Sequence, residues 1–256
     1  MAFLTAPAVL GTGAGGAPRL TSAFPRRGGP VATPPSPRRA AATLRASAGA
    51  PGQGSGSVSD SSPDEVRALL TSSDYVDRIS ALNRSRALGD ERLAILLDLV
   101  QADPNAQVRY LAVAQLIDAG GADKAAVLPV VRAVMANDAE TSVRAGAADV
   151  VCGLGLTEAY EDLVACYEAN SDWMVKMSVV AGLGELGDGR AYEFLVDVLG
   201  AEDASGMGML HTAAVGALGE LGDKRGVDVV KGWMDSEDGM MRDRAADAYK
   251  QLTGEA

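Results

Sequence analysis

Few residues in this sequence have a type and spacing suited to catalysis. The chain has one histidine, His211, and no nearby spacing supplies the orienting acid and the nucleophile that a catalytic histidine needs. Two cysteines, Cys152 and Cys166, with one histidine are too few for a typical zinc site. We expect both thiols to be small buried side chains, as free cysteines usually are. The sequence therefore predicts no catalytic residue, no metal site and no cofactor.

Two glycine-rich strings, Gly153-Leu154-Gly155 and Gly182-Leu183-Gly184, superficially resemble phosphate-binding loops. Such loops follow a β-strand, and their backbone amides cradle the phosphate at a helix N-terminus. Here the strings fall inside or at the ends of predicted helices and follow no strand. We therefore interpret them as structural glycines.

A basic residue recurs at intervals of 31 to 35 residues. The column can be interpreted as a surface that contacts acidic partners or as a structural ladder that joins repeats. We favour the ladder, because an aspartate precedes most of these helices and can pair with the column: Asp103, Asp138, Asp172 and Asp238. The same aspartates are predicted to be helix N-caps. The basic column consists of Arg78, Arg109, Arg144, Lys176, His211 and Arg242.

Methionines are concentrated in the C-terminal half, where seven of the nine lie between positions 174 and 241. Met174, Met209 and Met240 each stand two residues before the basic column, where the earlier repeats have Gln107 and Ser142. One interpretation is packing between repeats. Our hypothesis is a partner-binding surface that also includes Trp173, because methionine side chains adapt to varied partner shapes.

These residues lie on helices whose pattern repeats along the chain. The segment 181–188 (AGLGELGD) recurs as 216–223 (GALGELGD), with its last six residues identical. Apolar residues follow the spacing i, i+4, i+8, i+11, which marks one face of an α-helix. In the second of the five repeats, for example, they are Val143, Ala147, Val151 and Leu154.

Second helices are predicted between the helices of the basic column, at 91–100, 124–135, 158–167, 191–199 and 226–233. Pro129 falls inside one of them and is expected to kink it or delay its start. No alternating strand pattern remains, so we predict an all-α fold. It is a right-handed α-α superhelix of about five helical hairpins, preceded by half a repeat.

The N-terminal 57 residues differ in composition from the rest. Residues 1–45 contain six arginines and no acidic residue, and the first acidic side chain is Asp60. This composition predicts a disordered transit peptide and linker over residues 1–57, cleaved near residues 44–47, ahead of a repeat domain over 58–256. We expect a chloroplast (stromal) location, with the mitochondrion as the alternative. A retained disordered tail, or a two-step address for a plastid with additional membranes, also remains open.

Overall charge limits the partners. The chain carries 23 basic and 34 acidic side chains, and its Arg-rich segment lies before every acidic residue. The repeat domain is therefore strongly acidic, and we expect no nucleic-acid binding. No apolar run is long enough to span a membrane. The oligomeric state does not follow from the sequence.

The string Met174-Val175-Lys176, followed by the segments 181–191 and 195–199, resembles the HEAT-like repeat of phycobilisome bilin lyases and related phycobilisome-degradation proteins. The resemblance extends over about residues 74–254. It implies a HEAT/armadillo-like solenoid and a function in the assembly or turnover of pigment–proteins.

Two functions follow as hypotheses. The first is a non-catalytic scaffold or adaptor that binds a protein or a pigment–protein partner in the plastid. The alternative, which would make the chain part of an enzyme, is a subunit of a bilin lyase of the phycocyanobilin type. A source organism without phycobilins would argue against the alternative.

Overall fold

The computed structural model of the 256-residue chain describes residues 62–203 and 208–254. In these residues the chain forms 12 α-helices and no strand. The predicted all-α repeat fold is therefore confirmed. The predicted transit peptide and linker, residues 1–57, lies outside the described residues.

The helices pair in sequence as antiparallel neighbours, and each pair has an outer helix followed by an inner one. The outer helices are α1 (Pro63–Leu70), α3 (Arg92–Ala102), α5 (Lys124–Asn137), α7 (Tyr160–Ala169), α9 (Ala191–Gly200) and α11 (Gly226–Lys231). The inner helices are α2 (Tyr75–Asn83), α4 (Ala106–Ala119), α6 (Thr141–Gly153), α8 (Trp173–Leu186), α10 (Met209–Leu221) and α12 (Gly239–Thr253). Each inner helix packs against the inner helix of the next pair, which gives a one-dimensional stack.

The five predicted hairpins are present, and α1 completes the predicted half repeat. Pro63 occupies its first turn, and Ser62 and Glu65 form a capping box around its N-terminus. Val66 of α1 is buried against Ala81 and Leu88, which closes the N-terminal end of the core.

The predicted apolar columns form the core. The two columns that start at Val108 and Ala112 are buried in every repeat, including Val143, Val179 and Ala214. Burying a valine side chain stabilises a fold by about 1.5–3 kcal/mol. Stability therefore comes mainly from contacts between neighbouring helices of the stack.

Small residues set the distance between inner helices. A Cβ on Gly182 would lie 2.5 Å from the Cys152 Sγ, and a Cβ on Gly219 would lie 2.7 Å from the Ala248 Cα. The helix backbones therefore approach more closely than side chains would permit. In the string Gly182-Leu183-Gly184 both glycines are therefore structural, as the sequence indicated.

Pro129 lies inside helix α5, as predicted. Helix α5 begins at Lys124, five residues before the proline, so Pro129 does not delay its start. Pro129 and Ala125 are both exposed. The Ala125 carbonyl oxygen, which cannot accept a helical hydrogen bond because Pro129 has no N–H, therefore lies on the solvent-facing side. Water can donate a hydrogen bond to it there.

Candidate functional site

The methionine column lies in the first turn of three inner helices. Met174 and Met240 are the second residues of α8 and α12, and each backbone N–H donates to its N-cap aspartate, Asp172 or Asp238, at 2.8 Å. These two aspartates are N-caps as predicted. The caps hold both methionines at equivalent positions of their repeats.

Helix α10 starts differently. Its N-cap is Gly208, which has a left-handed backbone (φ 71°) and offers no capping side chain. Asp203 takes over that task, because its Oδ2 accepts a hydrogen bond from the backbone N–H of His211 at 2.8 Å. Met209 is therefore the first residue of its helix and is partly buried.

The methionines differ in exposure. Met174 and Met240 are 45 % and 47 % exposed, whereas Met209 and Trp173 are partly buried. Met174 and Met240 are therefore accessible to a partner, while Met209 and Trp173 offer less surface. That these residues bind a partner stays a prediction.

Sequence reasoning missed the apolar residues at the other end of the stack. Val76 stands two residues before Arg78, in the methionine column, and is 54 % exposed. Tyr75 and Tyr110 are also exposed. All five large hydrophobic side chains that are exposed in the described part of the chain lie within the first five residues of inner helices: Tyr75, Val76, Tyr110, Met174 and Met240.

Acidic residues stand in the loops before two of the three methionine-bearing helices. In the loops before α10 and α12, Glu202, Asp235 and Glu237 are exposed. The nearby Asp203 and Asp238 accept backbone hydrogen bonds at helix N-termini.

The first two members of the basic column join consecutive repeats. The guanidinium of Arg78 donates from Nε and Nη2 to both carboxylate oxygens of Asp103, at 2.7 and 2.9 Å. Arg109 contacts Asp138 in the same two-pronged manner, at 2.8 and 2.9 Å. Both pairs are largely buried. These are the contacts expected of a structural ladder.

The other members contact different groups. Arg144 donates from Nε to the amide oxygen of Asn170 at 3.0 Å, and the Lys176 ammonium lies 4.3 Å from the centre of the Tyr167 ring. His211 Nε2 lies 3.0 Å from the Ala201 carbonyl oxygen. Arg242 donates to the Ser236 and Glu237 carbonyl oxygens at 2.7 and 3.0 Å.

Asp103 and Asp138 are not N-caps, contrary to the sequence interpretation. They are the C-cap residues that follow α3 and α5, and the N-caps of α4 and α6 are Asn105 and Glu140. Burial alone would raise the pKa of Asp138. Hydrogen bonds from Arg109 and from the Glu140 amide outweigh burial and lower that pKa below its ordinary value.

A second cluster of ionisable groups lies between α6 and α8. Burial raises the pKa of Asp149 from its ordinary 3.8 to about 6, a hydrogen bond with Ser178 opposes the rise, and the negative charge of Glu185 adds to it. Burial, with the charges of Asp149 and Glu185, also raises the pKa of the Cys152 thiol far above its usual value. A thiol in this state is a poor nucleophile, because the thiolate is the reactive form.

A further ladder on the outer helices was not predicted. The guanidinium carbons of Arg190 and Arg225 lie 4.2 and 3.9 Å from the ring centres of Tyr160 and Tyr192 in the preceding repeat. Each tyrosine hydroxyl donates to the backbone oxygen of the same arginine, at 3.1 and 3.2 Å. The tyrosines are 32 residues apart and the arginines 35 apart. This repeated spacing of tyrosine and arginine is the feature of the sequence from which the second ladder could have been predicted.

Comparisons with known proteins agree with this architecture. A family model for HEAT repeats matches residues 128–207. A chain of the complex of CpcE and CpcF of phycocyanin lyase from Nostoc sp. PCC7120 superposes with a TM-score of 0.55 and 22 % identity. That match covers 64 % of this chain and 65 % of the lyase chain.

An engineered protein from a structural genomics programme matches with a TM-score of 0.49 and 16 % identity, over 75 % of this chain and 96 % of the engineered one. A comparison with curated protein sequences finds no significant match. The chain therefore contains HEAT repeats, and its fold is similar to that of the lyase chain, of which it spans about two thirds.

Proposed function

We propose that this protein is a non-catalytic scaffold or adaptor of the plastid, which binds a protein or pigment–protein partner along the N-terminal turns of its inner helices. The observation that carries the proposal is the distribution of exposed apolar side chains. Among residues 62–203 and 208–254, the large hydrophobic side chains that are exposed all lie within the first five residues of inner helices. Exposed apolar residues grouped on one edge are typical of a protein–protein contact.

The methionines are the proposed centre of this surface. Met174 and Met240 are accessible, and their flexible thioethers adapt to different partner shapes. The exposed carboxylates of Glu202, Asp235 and Glu237 lie in the adjoining loops. The complementary partner has an apolar patch edged by lysine or arginine.

The N-terminal half is less polar than the sequence indicated. Gln107 and Ser142 are exposed polar residues of the column, but Val76 and Tyr110 expose apolar side chains on α2 and α4. The surface can therefore extend along most of the stack. Separate variants of the two halves are needed to locate binding.

Partner capture from isolated plastids, followed by mass spectrometry and an absorption spectrum of the eluate, tests the proposal. The first variant changes Met174, Met209 and Met240 to glutamine. A second changes only Met174 and Met240, because Met209 is partly buried and its replacement could affect folding. Gln107→Ala with Ser142→Ala is the matched control on exposed positions of the same column.

We expect the methionine variants to lose the partner while helicity and melting temperature stay close to those of the wild type. The control should retain the partner. Capture should weaken as the salt concentration rises, because the carboxylates of Glu202, Asp235 and Glu237 are proposed to attract lysine or arginine of the partner. Undiminished capture by a folded Met174→Gln, Met240→Gln variant would falsify the assignment of the surface to the methionines.

The plastid location needs its own test. A fluorescent fusion of residues 1–57 should enter plastids, because the segment is rich in arginine and lacks acidic residues. Fluorescence in the cytosol would contradict a transit peptide in residues 1–57. Fluorescence in mitochondria would support the alternative location.

The alternative function, a bilin lyase subunit, is supported by the likeness of the repeats to those of the lyase chain. That likeness concerns the fold, and one fold carries many functions. A transfer assay with a phycobilin and its apoprotein distinguishes the two functions. Attachment of the pigment that requires this chain would establish the lyase and overturn the adaptor.

A further inference from the structure

Arg144 differs from Arg78 and Arg109 of the ladder, because its side-chain partner in the next repeat is not a carboxylate. In the two preceding rungs, the guanidiniums of Arg78 and Arg109 each meet both oxygens of an aspartate. In the third pair, Arg144 donates to Asn170, the C-cap residue of α7. The amide of Asn170 offers one acceptor and no charge, so this rung lacks the neutralisation of the other two.

The hydrogen bonds of Arg144 show which part of the guanidinium is poorly satisfied. Its Nη1 donates to the carbonyl oxygens of Asp138 and Ala139, at 2.6 and 3.3 Å. Its Nη2 lies 3.4 Å from the Thr141 hydroxyl. In Arg109 the same atom donates to a carboxylate oxygen at 2.9 Å. Arg144 thus retains capacity for a stronger acceptor at Nη2.

The nearest carboxylate of the ladder is already engaged. Asp138 accepts two hydrogen bonds from Arg109, so two guanidiniums share the field of one carboxylate. Asp138 is therefore not a partner of Arg144 alone.

Arg144 faces a cavity of about 390 Å³ between the C-terminal halves of α5 and α7. Arg132 also lines the cavity and is paired with Asp162 at 2.7 Å. The charged lining side chains are thus two arginines and one aspartate, a net charge of +1. Apolar groups of Met135, Ala165 and Cys166 form much of the remaining wall.

An equivalent cavity one repeat earlier has the opposite charge. It measures about 410 Å³ and lies between α3 and α5. Its charged lining residues are Asp103, Asp138 and Arg109, a net charge of −1. The lining of this cavity is therefore acidic in one repeat and basic in the next. Part of the difference is that Asp138, which follows α5, is replaced by Asn170, which follows α7.

We propose that the cavity between α5 and α7 is a binding site for an anionic group, and specifically for the carboxylate of an organic acid with an apolar body. The carboxylate would take the place of the missing aspartate and accept hydrogen bonds from Arg144. The apolar body would lie against Met135 and Ala165. This site is separate from the methionine column and does not depend on the proposed scaffold function.

Isothermal titration calorimetry of the full chain tests the proposal with three probes: 2-naphthoate, its uncharged analogue 2-naphthamide, and inorganic phosphate. We expect saturable binding of 2-naphthoate and at least tenfold weaker binding of 2-naphthamide. Phosphate distinguishes a general anion site from a carboxylate site. Saturable binding of phosphate but not of 2-naphthoate would overturn the assignment to an organic acid.

Asn170→Asp is the decisive variant, because it supplies the carboxylate that the other rungs contain. It should raise the melting temperature and weaken the binding of 2-naphthoate at least tenfold. Asn137→Asp is the matched control, since it adds the same charge beside the neighbouring cavity and should leave binding unchanged. If Asn170→Asp instead lowers the melting temperature, Arg144→Lys tests whether Arg144 binds the carboxylate. Lysine keeps the positive charge but lacks the planar guanidinium.

Three results would overturn the proposal. The first is no saturable binding of 2-naphthoate to the wild-type chain. The second is equal affinity for 2-naphthoate and 2-naphthamide, which would show that the charge is not recognised. The third is equal loss of binding in Asn170→Asp and Asn137→Asp, which would indicate a diffuse electrostatic effect.

Discussion

Gly184 of α8 packs directly against the backbone of Ala217 in α10. A Cβ on Gly184 would lie 2.6 Å from the Ala217 Cα and 2.7 Å from its carbonyl oxygen. Real Cβ atoms do not approach backbone atoms so closely, so any larger residue would force the two inner helices apart. The repeated glycine therefore sets the spacing of the stack at this interface.

Gly184→Ala should destabilise the protein although alanine favours helix. The gain in helix propensity is about 1 kcal/mol. The two backbones would have to separate and the packing around them would loosen, so we expect a net loss of about 1–3 kcal/mol in the free energy of unfolding. Urea denaturation followed by circular dichroism measures it.

The control is Gly153→Ala at the end of α6. A Cβ there would lie 3.7 Å from the side chain of Ile117, which is ordinary van der Waals contact. We expect little change or a small gain in stability. Equal destabilisation by the two changes would show that the close approach of α8 and α10 has no special energetic weight.

Asp103→Ala should be among the most damaging changes of a charged residue. It removes both carboxylate acceptors of the buried Arg78 guanidinium, which keeps only the Ser72 and Ser73 carbonyl oxygens, and leaves the charge without its counter-ion, at a cost of about 3–5 kcal/mol. Asp118→Ala breaks the exposed pair with Arg86 and should cost less than about 1 kcal/mol. A similar melting temperature for both variants would contradict a stabilising function of the ladder.

The repeat architecture could be predicted because its signal is local. Apolar residues at helical spacing define each inner helix without reference to other repeats, and the columns starting at Val108 and Ala112 are buried throughout. Helix α1 was missed because its only fully buried residue is Val66, so it has almost no apolar column. The capping box formed by Ser62 and Glu65 was the available signal.

The partners within the ladder could not be predicted reliably, because they depend on how repeats stack. Asp103 and Asp138 were assigned as N-caps from their position before a helix. In the structure they lie 25 and 29 residues from the arginines they contact, and the separation differs because the loops differ in length. The exposure of Val76 and Tyr110 likewise depends on the neighbours that the stack gives each helix.

Val179→Asp tests the register of the inner helices. Val179 is fully buried in α8, so an aspartate there would bring a carboxylate into an apolar interface at a cost of several kcal/mol. Gln107→Asp adds the same charge at an exposed position of α4 and should cost little. Thermal melts of the two variants decide the point, and comparable losses of stability would show that the assigned register is wrong.

Asp149 should make stability depend on pH. Its pKa is raised from 3.8 to about 6, first by burial and then by the charge of Glu185, with a hydrogen bond from Ser178 in opposition. Between these two pH values the folded chain keeps a proton that the unfolded chain has lost. The contribution of Asp149 to the free energy of unfolding therefore falls as the pH rises from about 4 to about 6, and it stays low above that range.

Asn is uncharged at every pH, so Asp149→Asn should remove this penalty. A shift of about two pKa units corresponds to roughly 3 kcal/mol. We expect the variant to be more stable than the wild type at pH 8 by up to that amount, and to differ little at pH 4, where the wild-type carboxyl is largely protonated in the fold. Urea denaturation at both pH values measures the difference.

Asp247→Asn, at the equivalent position of α12 but exposed, makes the same change in net charge and is the control. An equal gain at pH 8 from both variants would mean that relief of the overall acidic charge, and not the burial of Asp149, is responsible.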